Sequence, residues 1–152
     1  LEEIGIQAFA GTHLSEINIP AGVENITPDM FEMNANLKNI YVSDNNKTYK
    51  DIDGVLYSKD GKTIVIFPAT HGFNYEIPEG VTTIAFEAFR NCQSLYSITI
   101  PKSVKTIERN AFYNSENLEK LYYTGSKTNW NSINIVLPYT NSELLKAEKI
   151  LS

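Results

Sequence analysis

Covalent, acid–base or metal chemistry in this chain would have to be built from one cysteine, two histidines and scattered carboxylates. A reactive thiol needs a nearby base or a helix N-terminus to ionise it, and neither is indicated beside Cys92. The slot that Cys92 fills is taken by Asn34 and Ser115 at matching points of the chain, so it reads as a small structural position. His13 and His71 stand alone on expected solvent-exposed loops, with no G-x-S-x-G elbow or other local signature to recruit them. Asp44-Asn45-Asn46 with Asp51 and Asp53 supplies calcium-type ligands but not the alternating spacing of an EF-hand, and turn formation accounts for the run. The 8 glycines are scattered and cradle no phosphate. No catalytic residue, metal site or cofactor is therefore expected, and the chain reads as non-enzymatic.

Composition narrows the partners. The net charge of -5 argues against nucleic acid and against docking on anionic lipid, both of which call for a basic face. No apolar run approaches the ~18 residues of a membrane-spanning helix. A single cysteine forms no internal disulfide. Asn25-Ile26-Thr27 and Asn46-Lys47-Thr48 match the N-glycosylation acceptor, a motif too common to carry weight.

What remains is a set of aromatics, and their exposure follows from a repeat. Ile77-Pro78 returns as Ile100-Pro101, 23 residues later, and Val81/Val104, Ile84/Ile107, Phe89/Phe112, Leu95/Leu118 and Ile98/Leu121 keep the same interval. The pattern extends back through Ile19-Pro20, Val23, Ile26, Phe31, Leu37 and Ile40 to Leu14, Phe9 and Ile4. Alternation in Leu95–Ile100 predicts a short strand with one face buried, and Pro101, which has no N–H for a ladder, ends it. Val104 and Ile107 predict a corner or a second short extended piece. A helical or 3₁₀ turn is expected at Ala88-Phe89 and Ala111-Phe112. One unit cannot bury its own apolar side, so units must stack, with parallel strands and continuous apolar columns inside. The expected units are about 1–19, 20–42, 43–77, 78–100 and 101–123, closed by a coil and cap over 124–152, in one domain.

The Ile-Pro pairs at 77–78 and 100–101, Ala-Phe at 88–89 and 111–112, and Asn91-Cys92 before Leu95 resemble the BspA-like form of the leucine-rich repeat. The resemblance implies an α/β, strand-rich, right-handed leucine-rich-repeat solenoid with short helical or 3₁₀ turns. It also implies a bacterial protein that is secreted or held at the cell surface, acting in adhesion or protein binding.

Two regions depart from the unit. Val42 to Ile77 spans 35 residues, 12 more than one repeat. Val55-Leu56-Tyr57 and Thr63–Ile66 flank Asp60-Gly61, which predicts an inserted β-hairpin. After Tyr123 the repeat decays. Trp130 is expected to plug the end of the core, and Ser142–Ile150 to form a short helix capped by Ser142 with Leu144, Leu145, Ala147 and Ile150 on one face. The chain opens in the middle of a repeat, as a piece of a longer protein would.

Stacking leaves the outward strand positions for function. These include Tyr96, Ser97 and Thr99 in one unit and Tyr41, Phe73 and Tyr122 in others. Tyr41, Phe73, Tyr96 and Tyr122 are expected on one side, where exposed aromatics could anchor a protein, such as a host or matrix protein, or stack on a glycan. Cross-strand pairing that only stabilises the sheet explains the same residues. The functional readings are accordingly an interaction or adhesion module, and a structural spacer with no ligand of its own.

Overall fold

The computed structural model describes residues 11–31 and 34–151. The expected core positions Ile4 and Phe9 lie outside the described residues. In chain order the strands are β1 (Glu16–Ile19), β2 (Asn39–Val42), β3 (Tyr49–Ile52), β4 (Val55–Ser58), β5 (Thr63–Ile66), β6 (Asn74–Glu76), β7 (Thr83–Ile84), β8 (Ser97–Ile100), β9 (Thr106–Ile107), β10 (Lys120–Tyr123), β11 (Asn134–Ile135) and β12 (Glu148–Leu151). Two short helices, α1 (Lys127–Asn131) and α2 (Ser142–Lys146), fall near the C-terminus.

The strands stack as a solenoid with two parallel ladders. One runs β6–β8–β10–β12 and the other β5–β7–β9–β11, while β1 pairs with β2 alone. The register reproduces the repeat: Glu16 lies opposite Asn39, Ser97 opposite Lys120, and Thr83 opposite Thr106, each 23 residues apart. The second ladder is the extended piece expected after Val104. Each repeat isoleucine, valine and leucine from Val81 to Leu121 is buried. Each such side chain contributes about 1.5–3 kcal/mol relative to its exposed state.

The Ala-Phe segments are not helical. Glu87 and Asn110 adopt left-handed backbone (φ 56° in each), as do Asn91 and Asn114 (φ 58° in each). A left-handed residue interrupts right-handed helix, so the chain turns through separate i to i+3 hydrogen bonds, such as Ala88 N–H to Ala85 carbonyl and Arg90 N–H to Glu87 carbonyl. A 3₁₀ helix does form at the corresponding place in the earlier unit, Pro28–Phe31, where Met30 is buried and Phe31 is half-exposed.

The insertion is larger than a hairpin. β3, β4 and β5 form an antiparallel meander, and Asp53-Gly54 makes its first turn with both residues left-handed (φ 51° and 84°). A Cβ on Gly54 would stand 2.5 Å from Asn39 Oδ1, so the turn requires glycine for space as well as for backbone. The meander also divides the interior. Val55, Tyr57 and Ile64 join the C-terminal core, while Leu56 and Ile66 join the core of Ile17, Val23 and Ile40. β4 is thus buried on both faces, which is why Val55-Leu56-Tyr57 is an unbroken apolar run. The expected continuous columns are two sets of columns with β4 and β5 as the wall between them.

Asn46 stands at the start of this departure. Its place, 23 residues after Val23, is one that other units fill with buried valine. Asn46 is itself fully buried and meets four backbone groups. Its Nδ2 donates to the carbonyls of Pro20 and Val23, both at 2.9 Å, and its Oδ1 accepts from the N–H of Thr48 and Tyr49 at 2.9 and 2.8 Å.

At the C-terminus α1 is capped by Ser126 in reciprocal exchange with Asn129, and Trp130 lies edge-on to Tyr123 at 5.3 Å within the core. The expected helix over 142–150 ends at Lys146. Glu148–Leu151 leaves it to pair with β10, which satisfies that strand's open edge. Leu144 and Ala147 are buried, but Ile150 is exposed on a strand. Ser142 lies inside α2, and the cap position is Asn141, whose amide accepts from Phe112 N–H and donates to the Glu108 carbonyl instead of capping.

Candidate functional site: the outward strand positions

Strand alternation carries Ile98 and Ile100 inward and Thr99 outward, and the 23-residue register copies this from coil to coil. Phe73 and Tyr96 immediately precede β6 and β8, which pair Asn74 with Ser97. Their rings are therefore neighbours, stacked 4.8 Å apart and 6° from parallel, with Phe73 60% exposed. The backbone locks this placement, since the Phe73 carbonyl accepts from both Tyr96 and Ser97 N–H. Lys120 Nζ lies 6.0 Å from the centre of the Tyr96 ring. One ring of the pair is thus open to solvent and the other is flanked by a cation.

The other two expected aromatics stand elsewhere. Tyr122 lies in the next row, opposite Thr99 on one side and Ile150 on the other. Tyr41 belongs to the separate β1–β2 sheet, opposite Asn18. Among the described residues no ring contact joins either to the Phe73–Tyr96 pair. Ser97, expected to point outward, is buried, and its hydroxyl donates to Asn74 Oδ1 at 2.7 Å.

The groups that could do chemistry are occupied structurally. Cys92 is fully buried, its backbone N–H donates to Ser115 Oγ, and Ser115 Oγ donates to the Phe89 carbonyl. Burial pushes the Cys92 thiol well above its ordinary range. His71, expected on an exposed loop, is half-buried against Phe67 and Tyr75 with Nδ1 2.8 Å from the Lys38 carbonyl. Asp51 accepts from the Val42 N–H at 2.7 Å and Asp53 serves the meander turn. The Tyr57 and Tyr75 hydroxyls lie 2.5 Å apart, and burial raises both phenols, Tyr75 to about 12.

These shifts set an alkaline limit. Folded Cys92, Tyr57 and Tyr75 stay neutral where the unfolded chain ionises, from reference values of 9.0 and 10.0. Stability is fully present below those values and declines as pH rises through them. Urea midpoints are expected to be flat from pH 7 to about 8.5 and to fall above about pH 9.5. A thiol reagent at pH 8 should label Cys92 only after denaturation, and rapid labelling of the native protein would contradict its burial.

One concavity was not foreseen from the sequence. The third coil runs from its second-ladder residue Ile64 to Phe67 in 3 residues, where the next coils take 5, from Ile84 to Phe89 and from Ile107 to Phe112. Phe67 still enters the aromatic column, stacking on Phe89 at 5.0 Å. The shortened turn leaves a pocket of about 360 Å³ between the second coil, at Phe31 and Leu37, and the fourth, at Ala88 and Arg90. The signal available in the sequence was this two-residue shortfall.

Comparison with known proteins agrees with the architecture. Residues 1–70 and 66–135 match the profile of the BspA type leucine rich repeat region, in 6 copies. No curated protein matches the chain. The pneumococcal vaccine antigen PcpA is 24% identical with a TM-score of 0.66, over 71% of this chain and 27% of that one. A leucine-rich repeat protein from Eubacterium ventriosum is 22% identical with a TM-score of 0.63, over 99% and 52%. A leucine rich cell surface protein from Faecalibacterium prausnitzii is 23% identical with a TM-score of 0.56, over 84% and 52%. The chain thus spans about a quarter to a half of the length of these structures, and at these identities the likeness is one of fold.

Proposed function

The chain belongs to the BspA type leucine-rich-repeat family, and we propose that it is a non-enzymatic protein-interaction module of a bacterial surface protein, binding through its outward strand positions. The observation that carries this is the Phe73–Tyr96 pair, which holds a large apolar ring in solvent on a rigid backbone. Aromatic anchors on fixed scaffolds lose little conformational freedom on binding and are common hot spots at protein interfaces. The surface assignment is supported by the kind of protein that shares the fold, including a vaccine antigen and a cell surface protein.

The stack itself favours a second reading. Two rings 4.8 Å apart already satisfy each other, as a cross-strand pair in a spacer would. Probing an array of purified extracellular proteins and glycans with the wild-type chain separates the two. The module reading expects a saturable protein ligand. An array on which nothing binds is the result the spacer reading expects, and one on which only glycans bind would reassign the ligand class.

A further inference from the structure

We propose that the pocket opened by the short third turn is a second recognition site, one that accepts a single uncharged aromatic side chain together with its flanking peptide groups. It does not rest on the strand-face reading, because none of Tyr41, Phe73, Tyr96 or Tyr122 lines it.

Its floor is apolar, formed by Phe31, Leu37, Ile66 and Ala88. An apolar floor rewards an apolar group, and about 360 Å³ falls in the size range of pockets that hold small ligands. The backbone of the short turn that bounds it is fixed, since the Phe67 N–H donates to the Ala88 carbonyl at 2.7 Å. The occupant therefore meets a preformed site, with little ordering cost.

The rim determines what kind of apolar group. Among the described residues that line it the charged side chains are Glu87 and Arg90, and these are paired at 2.9 Å, so a charged ligand finds no free counter-ion among them. The other polar side chains that line it are the carboxamides of Asn34, Asn91, Gln93 and Asn114 and the hydroxyls of Thr70 and Ser94, which already donate to the carbonyls of Leu37 and Ala69. Asn114 Nδ2 donates to Asn91 Oδ1, and Gln93 Nε2 donates to the Asn114 carbonyl. Asn91 Nδ2, Asn114 Oδ1 and Gln93 Oε1 are left with no partner among the described residues. One free donor beside two free acceptors matches the N–H and carbonyl groups of a peptide backbone. A pyranose would want its hydroxyls met all round, and the side chains of Phe31, Leu37, Ile66 and Ala88 offer it no polar atom.

The test is a titration of the isotopically labelled protein with N-acetyltryptophanamide, in parallel with N-acetylglucosamine, followed by the side-chain amide signals of Asn91, Gln93 and Asn114. Saturable shifts are expected with the indole amide at millimolar concentration and not with the sugar. Ala69→Phe, at a half-buried rim position, should raise Kd at least tenfold by filling the mouth. Gln93→Ala, at an exposed position, should weaken binding severalfold with the fold intact. Phe73→Ser should leave it unchanged. No saturable shift, equal binding by Ala69→Phe and Gln93→Ala, or shifts with the sugar alone would each overturn the proposal.

Discussion

Replacing Asn46 with valine is expected to destabilise the protein by about 3 kcal/mol or more, even though valine is what other coils carry at the matching position. The substitution makes the site apolar and stays close in volume, so an ordinary core slot would tolerate it. The Asn46 side chain, however, is the sole described partner that joins the Pro20 and Val23 carbonyls of one coil to the Thr48 and Tyr49 N–H groups of the next. Removing it strands the buried Val23 carbonyl and takes a bond from the part-buried groups of Pro20, Thr48 and Tyr49, and a buried group left unpaired costs about 1–3 kcal/mol. A fall of roughly 6–12 °C in melting temperature is expected for a chain of this size. An Asn46→Val variant as stable as wild type would mean that the meander is held elsewhere. The same burial sets an expectation for the Asn46-Lys47-Thr48 sequence: folded protein offers no free Asn46 amide for glycosylation.

Phe89→Ala should cost more still, about 3–5 kcal/mol. Phe89 is the middle ring of the column, stacked on Phe67 at 5.0 Å and on Phe112 at 4.8 Å, and it is fully buried. Truncation opens a cavity inside and breaks both stacks, which add about 0.5–1.5 kcal/mol each beyond area burial. Phe89→Leu retains most of the volume and should lose less than half as much. Phe73→Ala is the control, because its exposed ring should change stability by less than about 1 kcal/mol. Chemical denaturation of the three variants checks the order, and equal losses at Phe89 and Phe73 would contradict the assignment of one to core and the other to surface.

These two residues mark what can and cannot be read from the chain. Phe89 belongs to a column visible as Phe89/Phe112, because each coil that keeps the register repeats the same burial. The parallel ladders, the small slot at Cys92 and the Asp60-Gly61 turn were legible for the same reason: each is a local pattern with one stereochemical solution. Asn46 resembled a loop residue, because asparagine beside Asp44 and Asn45 is turn-like by composition, and only its distance from Val23 pointed inward. β3 was obscured because Tyr49–Ile52 is half-buried throughout and so shows no alternation. The C-terminal helix was overread because Leu144, Ala147 and Ile150 are spaced by three, a spacing that fits helix until an open strand edge on β10 competes for the last four described residues. The left-handed Glu87 gives no signal in its residue type, unlike Asn110 in the next coil. Of the four expected aromatics, Phe73 and Tyr96 meet because their strands pair, and Tyr41 is set apart by the meander, whose Gly54 carbonyl and Asp51 carboxylate take the β2 N–H groups of Ile40 and Val42. The pocket depends on a difference in chain length between coils, which has no motif.

The strand-face account meets its most direct test in the double variant Phe73→Ser/Tyr96→Ser, compared with wild type for binding to a protein retained from the extracellular array, with melting temperature followed alongside. The account predicts at least a tenfold rise in Kd with only a small change in melting temperature, since both rings lie at the surface end of their strands. Unchanged affinity, or a fall in melting temperature with binding intact, would contradict it and leave the pair as a stabilising cross-strand stack.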